Sequence, residues 1–229
     1  MSEHRIALVA EGPTDYVLID AALRAVLPVA FTLTLLQPER TLPDATNGWA
    51  GVLKWCHAAG RRHAGPLNAD PTLGLFDMLI VHLDADVALK TYADCGQDVE
   101  GLALDFHWPP LPCNQACPPA SATCSELQTV LTGWLGLATP GPRTVWCLPS
   151  QSTGTWLAAA LLGPDHTLCQ NAECNPSVEA RLAQLPKKQR VSKSVREYRL
   201  HANAIVQNWD QVKAICPQAL AFEQAVLAV

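Results

Sequence analysis

The chain has 229 residues, 49% of them hydrophobic and 16% charged, and a formal net charge of −5. Those values exclude a disordered chain and allow one good core, or one core with an appendage. They also exclude a grip on nucleic acid spread over the whole sequence, so any such contact has to come from a local patch.

Residues 5–10 contain the apolar run Ile6-Ala7-Leu8-Val9-Ala10, which reads as a buried strand. Glu11 and Asp15 interrupt this stretch before it can act as the apolar part of an export signal. Nowhere do about 18 apolar residues follow one another, as a membrane span requires, so a soluble cytoplasmic protein is expected. A helix over 14–26 comes next, with Val17, Leu18, Ala21, Ala22, Ala25 and Val26 at helical spacing and Thr14 as its cap. Residues 31–36 alternate as a second strand. Residues 49–59 place Trp49, Val52, Leu53 and Cys56 on one side of a helix, and 76–83 form a third strand. Regularity stops over 91–124, where five prolines and four cysteines predict a functional or locally stapled insertion. A helix over 125–137 capped by Ser125, a fourth strand over 144–148 and a helix from Ser152/Thr153 to Leu162 follow. After a second irregular stretch, helices over 194–208 and 217–227 close the chain. Strands alternating with helices predict an α/β fold, a mostly parallel sheet of about four strands with helices on both faces. Residues 1–163 are expected to form this core and 164–229 a basic, helical extension packed on it.

Two acidic clusters sit directly behind apolar strands, Glu11-Gly12-Pro13-Thr14-Asp15 and Asp84-Ala85-Asp86. In an open α/β sheet the C-terminal strand ends form the edge where ligands bind. Carboxylates from two neighbouring strand ends can converge on one hard cation. Three oxygen donors suit Mg²⁺ or Mn²⁺, with water and a substrate phosphate completing the shell. Glu11, Asp84 and Asp86 are therefore the candidate ligands, and metal-dependent phosphate chemistry is the expectation. For Asp15 alone a second reading stands, a helix N-terminal carboxylate that favours the macrodipole.

The run Ala10-Glu11-Gly12-Pro13-Thr14-Asp15, followed some seventy residues later by Asp84-Ala85-Asp86, resembles the TOPRIM domain of topoisomerases, primases and nucleases. Its wording is most similar to the OLD-like branch of small prokaryotic TOPRIM nucleases linked to phage defence and to ATPase partners. The resemblance implies a Rossmann-like core and a nuclease dependent on Mg²⁺ or Mn²⁺. Glu11 would be a metal ligand or general base, Asp84 and Asp86 metal ligands, and Asp15 a support. Gly12 would leave room for the substrate backbone, and Lys193 would offset charge developing on the phosphate. The same resemblance leads one to expect a Glu two positions before Trp156, where this chain has Gly154. Such a chain either recruits another acid or has weakened or lost catalysis.

The stretch from Lys187 to Arg199 concentrates cations in an acidic protein: Lys187, Lys188, Arg190, Lys193, Arg196 and Arg199. On a helix starting near Ser192, Lys193, Arg196 and Arg199 recur every third residue and share a face. That face can meet a phosphate backbone, with Tyr198 stacking on a base, or it can simply be solvated. Nine cysteines without an export signal read as thiols or metal ligands rather than disulfides. Cys95, Cys113, Cys117 and Cys124 are candidate ligands of a structural Zn²⁺ that would staple the insertion; scattered thiols are the other reading. Cys56, Cys147 and Cys216 fall on apolar faces and are expected in the core. Two functions compete: a metal-dependent nuclease acting on DNA or RNA, and a catalytically weakened TOPRIM module serving as a docking or regulatory subunit of an ATPase-containing complex.

Overall fold

A computed structural model of the protein describes residues 3–38 and 47–229. β1 (His4–Val9) runs into α1 (Pro13–Val26) and β2 (Phe31–Gln37), followed by α2 (Trp49–Arg62), the two-residue β3 (Gly65–Pro66) and β4 (Met78–His82). Next come α3 (Gln97–Asp105), α4 (Ala120–Leu135), the two-residue β5 (Ala138–Thr139) and β6 (Thr144–Cys147). α5 (Thr153–Leu162), α6 (Val178–Leu182), α7 (Val195–Gln207), α8 (Trp209–Ile215) and α9 (Pro217–Leu227) complete the order. Among the described residues no helix is long and apolar enough to cross a membrane.

The four longer strands form one sheet in the order β2-β1-β4-β6, every neighbour parallel. β3 and β5 pair in a separate two-stranded ladder. The chain goes from β1 to β2 on one side and returns to place β4 on the other. The gap beyond the ends of β1 and β4 is thus the topological switch point, where an open α/β sheet leaves a crevice.

Alternation along the strands feeds two cores, since successive side chains point to opposite faces. Ile6, Leu8, Met78, Ile80 and Val145 pack on one face with residues of α1, α5, α7, α8 and α9. Ala7, Val9, Leu79, Val81 and Leu83 pack on the other with residues of α2, α3 and α4. Burial on both faces explains why these strands read as continuous apolar runs. Ile205, Trp209 and Phe222 join the same core as Leu8 and Ile80, so the C-terminal helices cover the sheet directly.

Several local expectations need correction. Gly12 rather than Thr14 precedes the first turn of α1, and Pro13 opens the helix, because a proline needs no helical partner for its nitrogen there. α4 begins at Ala120 directly after Pro119; Ser125 lies inside it and donates its hydroxyl to the Ser121 carbonyl at 2.9 Å instead of capping. The insertion is not structureless. It holds α3 and a tight 3-10 turn over Tyr92–Cys95, capped reciprocally by Thr91 and Asp94. Its irregular part is tied down where Tyr92 donates its hydroxyl to the Pro109 carbonyl at 2.7 Å and receives Trp134 Nε1–H at 3.1 Å.

The four-cysteine zinc site does not assemble. Cys117 forms a disulfide with Cys174, tying the insertion to the turn before α6. Cys124 is buried and donates to the Leu148 carbonyl at 3.5 Å. Burial pushes the Cys95 and Cys113 thiols up to about 11 and the Cys124 thiol up to about 12. Cys56, Cys147 and Cys216 are buried in the core.

Candidate functional site

β1 and β4 deliver Glu11 and Asp84 to adjacent positions beyond the sheet edge. The backbone N–H of Asp84 donates to Glu11 Oε1 at 2.7 Å, locking the two strand ends together. Asp84 is buried, and its Oδ1 accepts from the Thr153 backbone N–H at 3.1 Å, an otherwise unsatisfied donor of the first turn of α5. His82 Nε2 meets the same oxygen at 3.0 Å. His82 ends β4 and Asp84 follows two residues later in extended backbone, so both side chains project from one face. Asp15, buried in the first turn of α1, accepts from Thr153 Oγ1 at 2.7 Å. Four elements meeting at the switch point, β1, α1, β4 and α5, therefore hold Glu11, Asp15, His82, Asp84 and Thr153 in one network.

Crowding carboxylates out of water shows in their ionisation. Burial, then the charge of Asp84, raises Glu11 well above the ordinary carboxylate range. Burial and the charge of Asp15 push Asp84 up to about 6, against the pull of His82. For His82 burial acts to lower the pKa, but the charges of Asp15, Asp84 and Glu11 outweigh it and raise it to about 9. Its Nδ1 has no hydrogen-bond partner.

Ligand atoms of Glu11, His82 and Asp84 all lie within 4.8 Å of one another. Two carboxylates and an imidazole fit a divalent cation, which would relieve the repulsion and displace the imidazole proton. This set departs from the expected all-oxygen trio, because Asp86 is not part of it. An imidazole donor shifts the preference from Mg²⁺ towards Mn²⁺ and other transition ions. Asp86 is exposed on the 3-10 turn over Ala85–Leu89 and faces another group. Burial raises its pKa, and Lys90 and Lys193 pull it back down.

That second group stands beside the first. Lys193 Nζ donates to Glu179 Oε2 at 2.9 Å, and Tyr198 donates its hydroxyl to Glu179 Oε1. Lys193 is half-exposed; burial works against its charge, but Glu179 and then Asp84 and Asp15 hold its pKa above the usual lysine value. Lys193 precedes α7 instead of sharing a helical face with Arg196 and Arg199, because Ser194 caps that helix by accepting from Glu197 N–H at 3.2 Å. Tyr198 is buried and cannot stack on a base. Lys187, Lys188, Arg190, Arg196 and Arg199 are exposed. A Cβ on Gly12 would make only ordinary contacts, 3.5 Å from Asp15 Oδ2, so nothing in the chain itself demands glycine there.

His82, Thr153 and Glu179 were not among the candidates named from sequence. His82 had a readable signal, a polar residue inside an apolar strand two positions before Asp84. Glu179 had none. Away from this edge, a cavity of about 480 Å³ opens between Pro118, Glu173, Cys174 and Pro217. It contains none of the network's side chains. In comparisons with known proteins, no family model, no curated protein and no solved structure gives a significant match to this chain.

Proposed function

We propose that the chain is a divalent-metal-dependent phosphodiesterase with a TOPRIM-like core, acting on DNA or RNA. The observation that carries this reading is the junction at the switch point, where Glu11 and Asp84 are joined by a 2.7 Å backbone contact and their ligand atoms lie within 4.8 Å of those of His82. A bound Mn²⁺ or Mg²⁺ would supply charge neutralisation at the scissile phosphate and a more acidic water. Glu11, which is half-buried and the more accessible of the two carboxylates, would hold that ion with Asp84 and accept the proton of the attacking water. His82, whose Nε2 lies 3.0 Å from Asp84 Oδ1, would be the third ligand of that ion, and Thr153 fixes both Asp84 and Asp15 through its N–H and its hydroxyl. Lys193 offsets negative charge beside the network, and the exposed Lys187, Lys188, Arg190, Arg196 and Arg199 offer contacts to a nucleic-acid backbone.

Calorimetric titration of Mn²⁺ into the wild type and into Glu11→Gln/Asp84→Asn, with cleavage assays on single- and double-stranded DNA and RNA, tests the reading. Saturable binding and cleavage, both lost in the double variant, are expected. A wild type that neither binds Mn²⁺ nor cuts any of these substrates, alone or with an ATPase encoded beside it, overturns the nuclease and favours a docking subunit.

A further inference from the structure

Gly154 is the second residue of α5, directly after Thr153, and it is buried. Its backbone is outside the left-handed region, so its conformation does not call for glycine. A glycine in a helix is less favourable than an alanine, and here space explains its presence. A Cβ on residue 154 would lie 2.8 Å from both Cγ and Cδ of Glu179, closer than side chains tolerate. Glu179 comes from the short helix α6 and fills the volume that a side chain on residue 154 would occupy.

The Glu179 carboxylate is held from two directions. The buried Tyr198 hydroxyl engages one oxygen and Lys193 Nζ the other. Gly154 directly follows Thr153, whose N–H and hydroxyl hold Asp84 and Asp15, so Glu179 against Gly154 and its partner Lys193 stand one residue along α5 from the acidic network. The Lys193 side chain is 49% exposed, whereas the Glu179 carboxylate is the held end of the pair, 22% exposed and packed between the buried Tyr198 and Gly154. We propose that Gly154, Glu179 and Tyr198 form a built support that aims the Lys193 ammonium at a substrate phosphate beside the Glu11–Asp84 centre, with Glu179 as the positioning residue. This rests on the nuclease reading for the identity of the substrate. It assigns to Glu179 a role that acts through Lys193.

The test uses the full chain with Mn²⁺ and compares wild type, Glu179→Gln, Lys193→Ala, their double variant, Glu179→Gly and Gly154→Glu/Glu179→Gly. Gln keeps an acceptor for the Tyr198 hydroxyl but removes the charge facing Lys193, and thermal melts check that each variant folds. Lys193→Ala should lower kcat about 100-fold, the loss typical of removing one charge-stabilising donor. Glu179→Gln should lower kcat about tenfold or more with KM and Mn²⁺ affinity little changed. The double variant should be no worse than Lys193→Ala. The swapped variant, which delivers a carboxylate to the same volume from position 154, should recover activity lost in Glu179→Gly alone. Wild-type kcat in Glu179→Gln, or additive losses in the double variant, overturns the assignment while leaving the nuclease standing. If the wild type cuts nothing, the nuclease reading fails and the assignment is decided by binding. The affinity for a metal-free phosphorothioate oligonucleotide, read by fluorescence anisotropy, should fall about tenfold and equally in Glu179→Gln and Lys193→Ala. Unchanged or unequal affinities overturn it.

Discussion

Glu173 is the acid best suited to a stability measurement, because it lies outside the proposed metal centre and ionises within an accessible range. It is only 4% exposed, one carboxylate oxygen accepts the Gln218 backbone N–H at 2.9 Å in the first turn of α9, and the other has no partner. Burial, opposed by that single hydrogen bond, raises its pKa from 4.5 to about 7. A folded-state pKa above the unfolded one means that the native protein binds more protons between those values. The unfolded chain ionises first, so stability is lost as pH rises through that window and levels off above it. The whole shift corresponds to roughly 3 kcal/mol. Glu173→Gln keeps the acceptor for Gln218 and has no proton to lose. The stability gap between wild type and Glu173→Gln should therefore move by about 2.5 kcal/mol in favour of the variant between pH 5 and pH 8. Urea denaturation of both proteins at pH 5, 6, 7 and 8 measures this, and groups common to both cancel in the difference. Parallel curves, with a gap constant to within about 0.5 kcal/mol, would falsify the burial argument.

Two further outcomes follow from packing and from the disulfide. Gly60 is where α2 meets the end of α4, and a Cβ there would lie 2.7 Å from the Leu135 carbonyl carbon and nearer still to its oxygen. Backbone cannot step aside as a side chain can, so Gly60→Ala should cost about 1–3 kcal/mol or more. Gly101→Ala in α3, with no atom within 4 Å of its Cβ, should gain about 0.5–1 kcal/mol; equal melting temperatures for the two variants would sink the crossing argument. The Cys117–Cys174 bond closes a separation of 57 residues, which in the chain-entropy model stabilises the fold by about 4 kcal/mol. Alkylation of the unfolded, unreduced protein should label the seven free cysteines and spare these two, and labelling of all nine would refute the pairing.

Strands and their order in the chain were legible because both faces of the sheet are buried. Ile6, Leu8, Met78 and Ile80 serve one core and Ala7, Val9, Leu79 and Val81 the other, which leaves uninterrupted apolar runs in the sequence. The ends of β1 and β4 were legible for the same reason, since a carboxylate directly after a buried run marks the edge. Helix starts were less so. Pro13 and Pro119 set them at α1 and α4, while Thr14 and Ser125 were the capping residues the pattern suggested. α8 was hidden because only Asn208 separates it from α7; that asparagine turns the chain and donates Nδ2–H to the Ala160 carbonyl at 3.0 Å.

The sequence by itself determined an α/β alternation and placed Glu11 and Asp84 at strand ends, because burial and local periodicity are written residue by residue. Only the tertiary structure decided which groups share their charge. It set His82 against Asp84 and Thr153 between Asp84 and Asp15, and it left Asp86 outside the Glu11, His82 and Asp84 set. It also paired Cys117 with Cys174 in place of a zinc site, and put Glu179 into the space left by Gly154. Those pairings join residues far apart in the chain. Spacing along a sequence carries no measure of such distances until the sheet order and helix packing bring the elements together.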